Sequence, residues 1–357
     1  MRIRRPVAVA GMITVSVITR PSPGHCQAIT RPLPGHHPLL LDLLRDLLLH
    51  LLSYRHVIGV LVNPAAGGGR AQPRAALVAR ALAEFGDVRR FETRARGDER
   101  ALAIRVCDAG ASILAVVGGD GSSHHAARGL LESGAPIPLA IFAAGTGNDF
   151  VKTLGTPSHD VPAMAARVMR GTSRAIDVGV IDGVPFLNAA GMGFDVAVLE
   201  RMQQLSTSGA LRLRGTAAYV GTALGALFSY DGFDAHLHGG TEHERTSSPN
   251  TRHLMTVFAN GRAFGGAFRI APTASLTDGH LDVIDFARLS PVARLAALFR
   301  AMRGTHLSHA AVHHARATHL VMTSHVPLAF EADGELYRAA GTTIDVTVRP
   351  QALRVIV

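Results

Sequence analysis

Three glycine-rich clusters carry the spacing that points most directly to chemistry. Asn63-Pro64-Ala65-Ala66-Gly67-Gly68-Gly69-Arg70, Gly118-Gly119-Asp120-Gly121-Ser122 and Gly145-Thr146-Gly147-Asn148-Asp149-Phe150 each follow a short apolar run. Glycines at such places let backbone N–H groups approach phosphate oxygens, and a helix starting at Ser122 would aim its positive end at the same anion. A Walker lysine is missing, because Lys152 is the sole lysine and no GxxxxGK[ST] run surrounds it. Phosphate binding would then rest on backbone amides, hydroxyls, arginine and a metal. Taken alone, the Gly118–Gly121 cluster reads equally as a tight turn, and Asp278-Gly279 and Asp333-Gly334 read first as plain hairpin turns.

The elements around these clusters follow a simple grammar. VIGVLV (57–62) is a β-rich run, followed by a helical pattern from 71 to Gly86, a strand near 88–92, a helix near 97–108, the strand ASILAVVGG, a helix near 122–132 and the strand PIPLAIFAAG. Such alternation implies a parallel sheet with helices on both faces and a site at the strand C-termini. After about residue 175, short strands recur between Gly and Asp-Gly turns, ending with TIDVTVR and ALRVIV. Two helical stretches interrupt them, near 195–229 and 290–303, the second opened by Ser290 and Pro291. The expected fold is therefore α/β, with a β-rich sandwich or flattened barrel as a second domain.

Composition narrows the function classes. The chain has 357 residues, 47% of them hydrophobic, which is enough for true cores and excludes disorder. Two cysteines, Cys26 and Cys107, form neither a disulfide framework nor a zinc ribbon, so a reducing compartment is the default. Of the net charge of +9, residues 1–56 supply +5, from seven arginines against Asp42 and Asp46. With no tryptophan and 5% aromatic residues, a nucleic-acid partner is not expected. The basic front end suits an anionic membrane surface instead. Within it, residues 38–54 (PLLLDLLRDLLLHLLSY) place their polar side chains on one helical face. The readings are an interfacial membrane helix, a helix packed on its own domain, or an extension from an upstream start codon. The histidines at 306, 309, 313, 314 and 319 cluster without HExxH or cysteine partners and read as exposed.

The ordered set NPAAGGG, GGDGS, GTGNDF, DVG (177–179), FLNAAGMGFD, FANGRAFGGAFRIAPTASLTDGHLDV and DGE (333–335) resembles the bacterial diacylglycerol kinase group of lipid kinases. That group is related to sphingosine kinases and, more distantly, to NAD kinases. The resemblance covers residues 56–357 and implies a three-layer α/β ATP-binding domain over 56–175, joined by a C-terminal strand at 350–357. It further implies a β-rich domain over 176–349, with residues 1–55 as an extension and ATP in the cleft between the domains. By this resemblance Asn63, Pro64, Ala65, Ala66, Gly67, Thr93, Gly118, Gly119, Asp120, Gly121, Ser122, Ser123, His124, Thr146, Gly147 and Asn148 would line the nucleotide. Asp120 would face the triphosphate and its Mg²⁺. A separate metal site would fall on Ser275, Asp278 and His280, the first and third through their backbone carbonyl oxygens. Glu335 would take the proton of a lipid hydroxyl as it attacks the γ-phosphate, with Asp333 beside it.

The implied activity is ATP-dependent phosphorylation of diacylglycerol or a related lipid, giving a phosphatidic acid-type product. The implied location is cytoplasmic, peripheral at the inner face of the membrane, and related proteins are often dimers. The chain departs from the family pattern where His124 and His125 replace Asn and Glu, Arg128 replaces Asn, and Ala143 replaces Pro. Two other readings stay open at this stage. One is an NAD kinase-like small-molecule kinase; the other, motivated by the two histidines, is a non-catalytic nucleotide or lipid sensor.

Overall fold

The computed structural model describes residues 56–207, 221, 225–240, 245–248 and 251–357. The readings made for residues 1–55, and for positions 208–220 and 222–224 of the helical stretch expected near 195–229, lie outside the described residues.

Four parallel strands open the fold: β1 (His56–Val62), β2 (Gly86–Glu92), β3 (Ile113–Gly118) and β4 (Leu139–Ala143), ordered β2-β1-β3-β4. The helices between and after them are α1 (Ala71–Leu82), α2 (Asp98–Asp108), α3 (Asp120–Ser133), α4 (Asp149–Leu154) and α5 (Val161–Arg170). Because side chains alternate across a strand, Leu61, Leu114, Val116 and Ile141 pack under α2 and α3, while Val60, Val62, Val117 and Phe142 meet α1 and α5. Both faces of the sheet are covered, which is why its strands read as unbroken apolar runs.

The later strands are β5 (Ser173–Ile181), β6 (Val184–Phe186), β7 (Ala189–Gly193), β8 (Phe233–Asp234), β9 (His236–Gly240), β10 (Arg245–Ser247), β11 (Arg252–Ala259), β12 (Leu281–Ala287), β13 (Val312–Ala317), β14 (His319–Thr323), β15 (Ala329–Ala332), β16 (Glu335–Arg338) and β17 (Thr343–Ile356). Helix α6 (Phe194–Thr207) follows β7, and α7 (Pro291–Arg303) follows β12. A seven-stranded antiparallel sheet runs β13-β12-β11-β7-β15-β16, with β8 beside β11. It packs on the outer part of the first sheet through Phe186, Phe258, Leu281, Leu320, Phe330 and Ile344. The result is a β-sandwich built onto an α/β layer. The opposite face of the seven-stranded sheet is covered by α7, whose cap is the Ser290 hydroxyl accepting from the Ala293 N–H.

Several expectations need correction. Helix α3 starts at Asp120 rather than Ser122, which brings the aspartate itself into the first turn. Gly86 opens β2 instead of closing a helix. TIDVTVR and ALRVIV are one strand, β17, with a register shift between Arg349 and Leu353. There Gln351 adopts a left-handed φ of 51° and donates its N–H to Asp177 Oδ1 at 2.8 Å. The histidine cluster is not uniformly exposed. His306 is buried, stacked on Phe286 and hydrogen-bonded to the Ile270 carbonyl at 2.9 Å, while His314 Nε2 lies 2.8 Å from buried Asp282. These imidazoles are drawn inward by acceptors on β12 and beside it, which the local sequence does not reveal.

Candidate active site

The three glycine clusters converge at the C-terminal ends of β1, β3 and β4. Gly119 and Gly145 touch backbone to backbone, since a Cβ on Gly145 would lie 2.6 Å from the Gly119 Cα. Only residues without side chains permit this approach. Asn63 ties the loops together, its Nδ2 donating to Glu99 Oε1 at 2.9 Å and to Ser122 Oγ at 3.2 Å. The Ser122 hydroxyl also donates to Glu99 at 2.8 Å. Glu99 is therefore a buried hub absent from the motif reading, and its Oε2 has no hydrogen-bond partner among the described residues.

Two cavities meet here. The first, about 280 Å³, is lined by Asn63, Ala66, Gly67, Arg96, Glu99, Gly119, Gly121, Ser122, His125, Gly145 and Glu335. The second, about 400 Å³, holds Asp120, Ser123, Thr146, Gly147 and Asp149 on one side and Asp195, Phe264, Glu331 and Asp333 on the other. Gly119, Gly121, Gly145 and Glu335 belong to both. Of the residues expected to hold nucleotide, Pro64, Ala65, Thr93, Gly118, His124 and Asn148 line neither cavity. Asn148 instead shapes its turn, with φ of 53° and Nδ2 donating to the Gly145 carbonyl at 2.9 Å.

Glu335 sits at the junction. Its Oε2 accepts from the Arg96 guanidinium at 2.5 Å, and a Cβ on Gly121 would lie 2.8 Å from its Oε1. The His125 ring stands 3.9 Å away. Burial, reinforced by neighbouring His124 and Arg128, holds His125 below the usual imidazole range against the pull of Glu335 and Glu99, so it faces Glu335 uncharged at pH 7.

Asp333, two residues earlier, is fully engaged. Its carboxylate accepts from the N–H groups of Leu187, Asn188 and Ala189 and lies 2.9 Å from His124 Nδ1. The other ring nitrogen of His124 is 2.9 Å from the Tyr337 hydroxyl, which also accepts from Arg128 at 2.8 Å. The residues that break the family pattern, His124, His125 and Arg128, thus form one set that grips segment 333–337.

Asp120 turns into the larger cavity, with Oδ2 accepting from the Asn148 N–H at 2.6 Å. Burial, then the nearby charge of Asp149, pushes its carboxyl up to about 6, opposed by that N–H. Asp149 joins the two halves, accepting from the Lys152 ammonium at 2.9 Å and from the Gly266 N–H at 2.8 Å. Lys152 also donates to the Gly266 carbonyl, so the sole lysine works as a clasp. At the floor, Asp195 and Glu331 approach each other around Gly191, where a Cβ would lie 1.8 Å from Asp195 Oδ2 and 3.2 Å from Glu331 Oε1. Both carboxyls are pushed upward, chiefly by burial.

Six carboxylates, Asp120, Asp149, Asp195, Glu331, Asp333 and Glu335, line the larger cavity, and no Lys, Arg or His does. Phosphate oxygens reaching the junction with this cavity would meet the carboxylates that stay ionised, a charge that a divalent cation would offset. Among the described residues no group of three His, Cys, Asp or Glu side chains gathers as a metal site. The set Ser275, Asp278 and His280 lies in neither cavity. Asp278 pairs with Arg316 and accepts the His280 N–H.

Comparison with known proteins adds the family. Residues 57–181 match the diacylglycerol kinase catalytic domain, and residues 188–357 match the YegS C-terminal NAD kinase beta sandwich-like domain. The chain belongs to the YegS/diacylglycerol kinase-like lipid kinase family. A Pseudomonas aeruginosa (strain UCBPP-PA14) member named "Probable lipid kinase YegS-like" is 34% identical over 191 residues, 52% of this chain. The chain spans 58% of the length of that relative. A Bacillus subtilis (strain 168) diacylglycerol kinase is 27% identical over 228 residues, 62% of this chain and 71% of its own length. A crystal structure of a diacylglycerol kinase from Bacillus anthracis str. Sterne superposes with a TM-score of 0.63 at 19% identity, covering 85% of this chain and 97% of its own, a likeness of fold. Among the described residues of this lipid kinase-family chain, no helix is long and apolar enough to cross a membrane.

Proposed function

We propose that the protein is an ATP-dependent lipid kinase that transfers the γ-phosphate of ATP to the hydroxyl of diacylglycerol or a related lipid. The observation that carries this reading is the position of Glu335 in the wall shared by the two cavities. The loop-lined cavity takes the nucleotide, whose phosphates meet the backbone amides of the glycine turns and the N-terminus of α3. The acceptor hydroxyl enters the larger cavity. Glu335 takes its proton, the freed oxygen attacks the γ-phosphorus, the bond to the bridging β,γ-oxygen breaks, and ADP leaves. A divalent cation bound with the phosphates would supply charge neutralisation, and the Asp120 carboxylate would hold it.

Asp333 is a positioning residue in this scheme. Its carboxylate is occupied by four donors, which fix the turn that presents Glu335. A lipid acceptor, rather than a dinucleotide, is supported by the apolar side chains of Phe150, Leu187, Leu199, Met202 and Phe264 in the larger cavity. Work at the inner face of a membrane belongs to the same reading.

Incubation of the purified protein with labelled ATP and mixed membrane lipids, followed by mass identification of the product, tests the proposal. Phosphorylated diacylglycerol or a related lipid is the expected product. Label transferred to NAD would favour the small-molecule kinase reading, and ATP binding without transfer to any lipid would favour a sensor.

A further inference from the structure

The outer face of α7 is apolar where a surface helix is ordinarily polar. Val292, Phe299 and Met302 are 77%, 54% and 43% exposed, and with half-buried Leu295 they recur every three or four residues as one stripe. The opposite face, Arg294, Ala297 and Ala301, is buried. Phe228, 59% exposed, lies next to Leu227, whose carbonyl accepts from the buried Arg294 at 2.7 Å. Arg300 and Arg303 flank the stripe in the last turn, Arg269 lies against Gly304 just beyond, and Arg288 precedes the helix. All four are exposed, and their side chains make no hydrogen bond or ion pair with any described residue. No Asp or Glu occurs in residues 286–330, a stretch with five arginines.

The inner side of the same helix walls a further cavity of about 60 Å³, together with Phe194, Leu254, Phe268 and Phe286. Phe264 and Asp195 belong both to this cavity and to the acceptor side of the active-site cleft. One helix therefore stands between an exposed apolar face and a mostly apolar cavity that shares two wall residues with the cleft.

We propose that α7 docks the protein on an anionic lipid bilayer. The stripe enters the acyl boundary, the arginines meet headgroup phosphates, and a lipid leaves the bilayer beside this helix. A basic-flanked apolar face parallel to the surface is what an interfacial helix presents. A second copy of the chain would also cover the stripe. It would, however, bring two unpaired arginine sets together, which like-charge repulsion disfavours. The route of the lipid rests on the lipid-kinase reading; the docking rests on the face alone.

The test is co-sedimentation of the full chain with vesicles of phosphatidylcholine containing phosphatidylglycerol, beside pure phosphatidylcholine vesicles. The wild type is expected on the anionic vesicles, with Val292→Ser/Phe299→Ser/Met302→Ser weakening binding by roughly tenfold or more. Arg300→Glu/Arg303→Glu is expected to remove the preference for phosphatidylglycerol. All these side chains are exposed, and circular dichroism should report an unchanged fold. Unchanged vesicle binding in both variants overturns the proposal and moves docking elsewhere, residues 38–54 included. A wild-type dimer that the apolar variant splits, with vesicle binding intact, overturns it in favour of self-association. Phosphotransfer to a soluble short-chain diacylglycerol is the separate control. If the wild type lacks it yet docks through α7, the docking stands and the kinase reading falls.

Discussion

The loop-lined cavity is built largely from short turns close together in sequence, Asn63, Ala66 and Gly67 after β1 and Gly119, Gly121 and Ser122 after β3, with Arg96, Glu99, His125, Gly145 and Glu335 completing its wall. The acceptor cavity next to it shares some of those turns but adds carboxyl and apolar side chains delivered by α6, β15, β16 and the 264–266 loop. The same contrast extends to the two halves of the fold. The α/β half is held by alternating aliphatic residues and buries few ionisable groups, Glu99 and His124 among them, whereas the β-rich half buries more, including His253, Asp282, Asp285, Asp195 and Glu331. Phosphate is one ligand with fixed chemistry, and generic backbone amides suffice for it. An acceptor must be selected, and that takes side chains placed individually.

The difference can be attacked first at the point where the cavities meet. Glu335→Gln should lower kcat by about 10²–10⁴-fold, the usual worth of a general base, with ATP affinity by titration calorimetry nearly unchanged. Normal turnover in that variant would refute the assignment. Asp333→Ala should act on stability, because three backbone N–H groups and His124 lose their acceptor. A loss of about 3 kcal/mol in urea unfolding is expected; a fully stable, inactive variant would instead return Asp333 to direct chemistry.

The ionisable core of the β-rich half offers a third test. His253 is buried with Nδ1 2.6 Å from Asp285 and Nε2 3.0 Å from the Ala235 carbonyl. Burial alone would lower its pKa, but the hydrogen bond and charge of Asp285 raise it above the ordinary imidazole value. The stabilisation is therefore complete below about pH 6.5 and disappears as pH rises through the raised native value. The Tm of the wild type should fall over that window, and that of His253→Gln should not. The smallest effect is expected at Arg96, whose side chain is two-thirds exposed although it contacts Glu335. Arg96→Ala should change the KM for ATP by no more than about fivefold, since exposed ion pairs are weak.

What the sequence makes legible follows the same line. The parallel strands, the glycine loops and the Ser290 cap are local patterns, and each is found where its periodicity or turn chemistry indicates. Glu99, the Asp149–Lys152–Gly266 clasp and the Asp195–Glu331 pair join residues far apart in the chain, and no local spacing announces them. His124 and His125 were conspicuous as departures from a motif, but their engagement with Asp333, Tyr337 and Glu335 depends on β15 and β16 folding back over α3. The burial of His306 escapes the local sequence for the same reason, its acceptor being a carbonyl 36 residues away.

Strand β17 runs along β5 for much of its length and pairs in its second half with Leu139 of β4, so one continuous strand is stitched into both halves. A fragment ending near residue 181 would leave β4 as an open edge with unpaired amides and carbonyls, prone to aggregate. Residues 56–357 should therefore melt in a single cooperative transition, and neither half should be recoverable as a soluble piece. Its ladders close loops of well over a hundred residues, so refolding after dilution from denaturant should be slow.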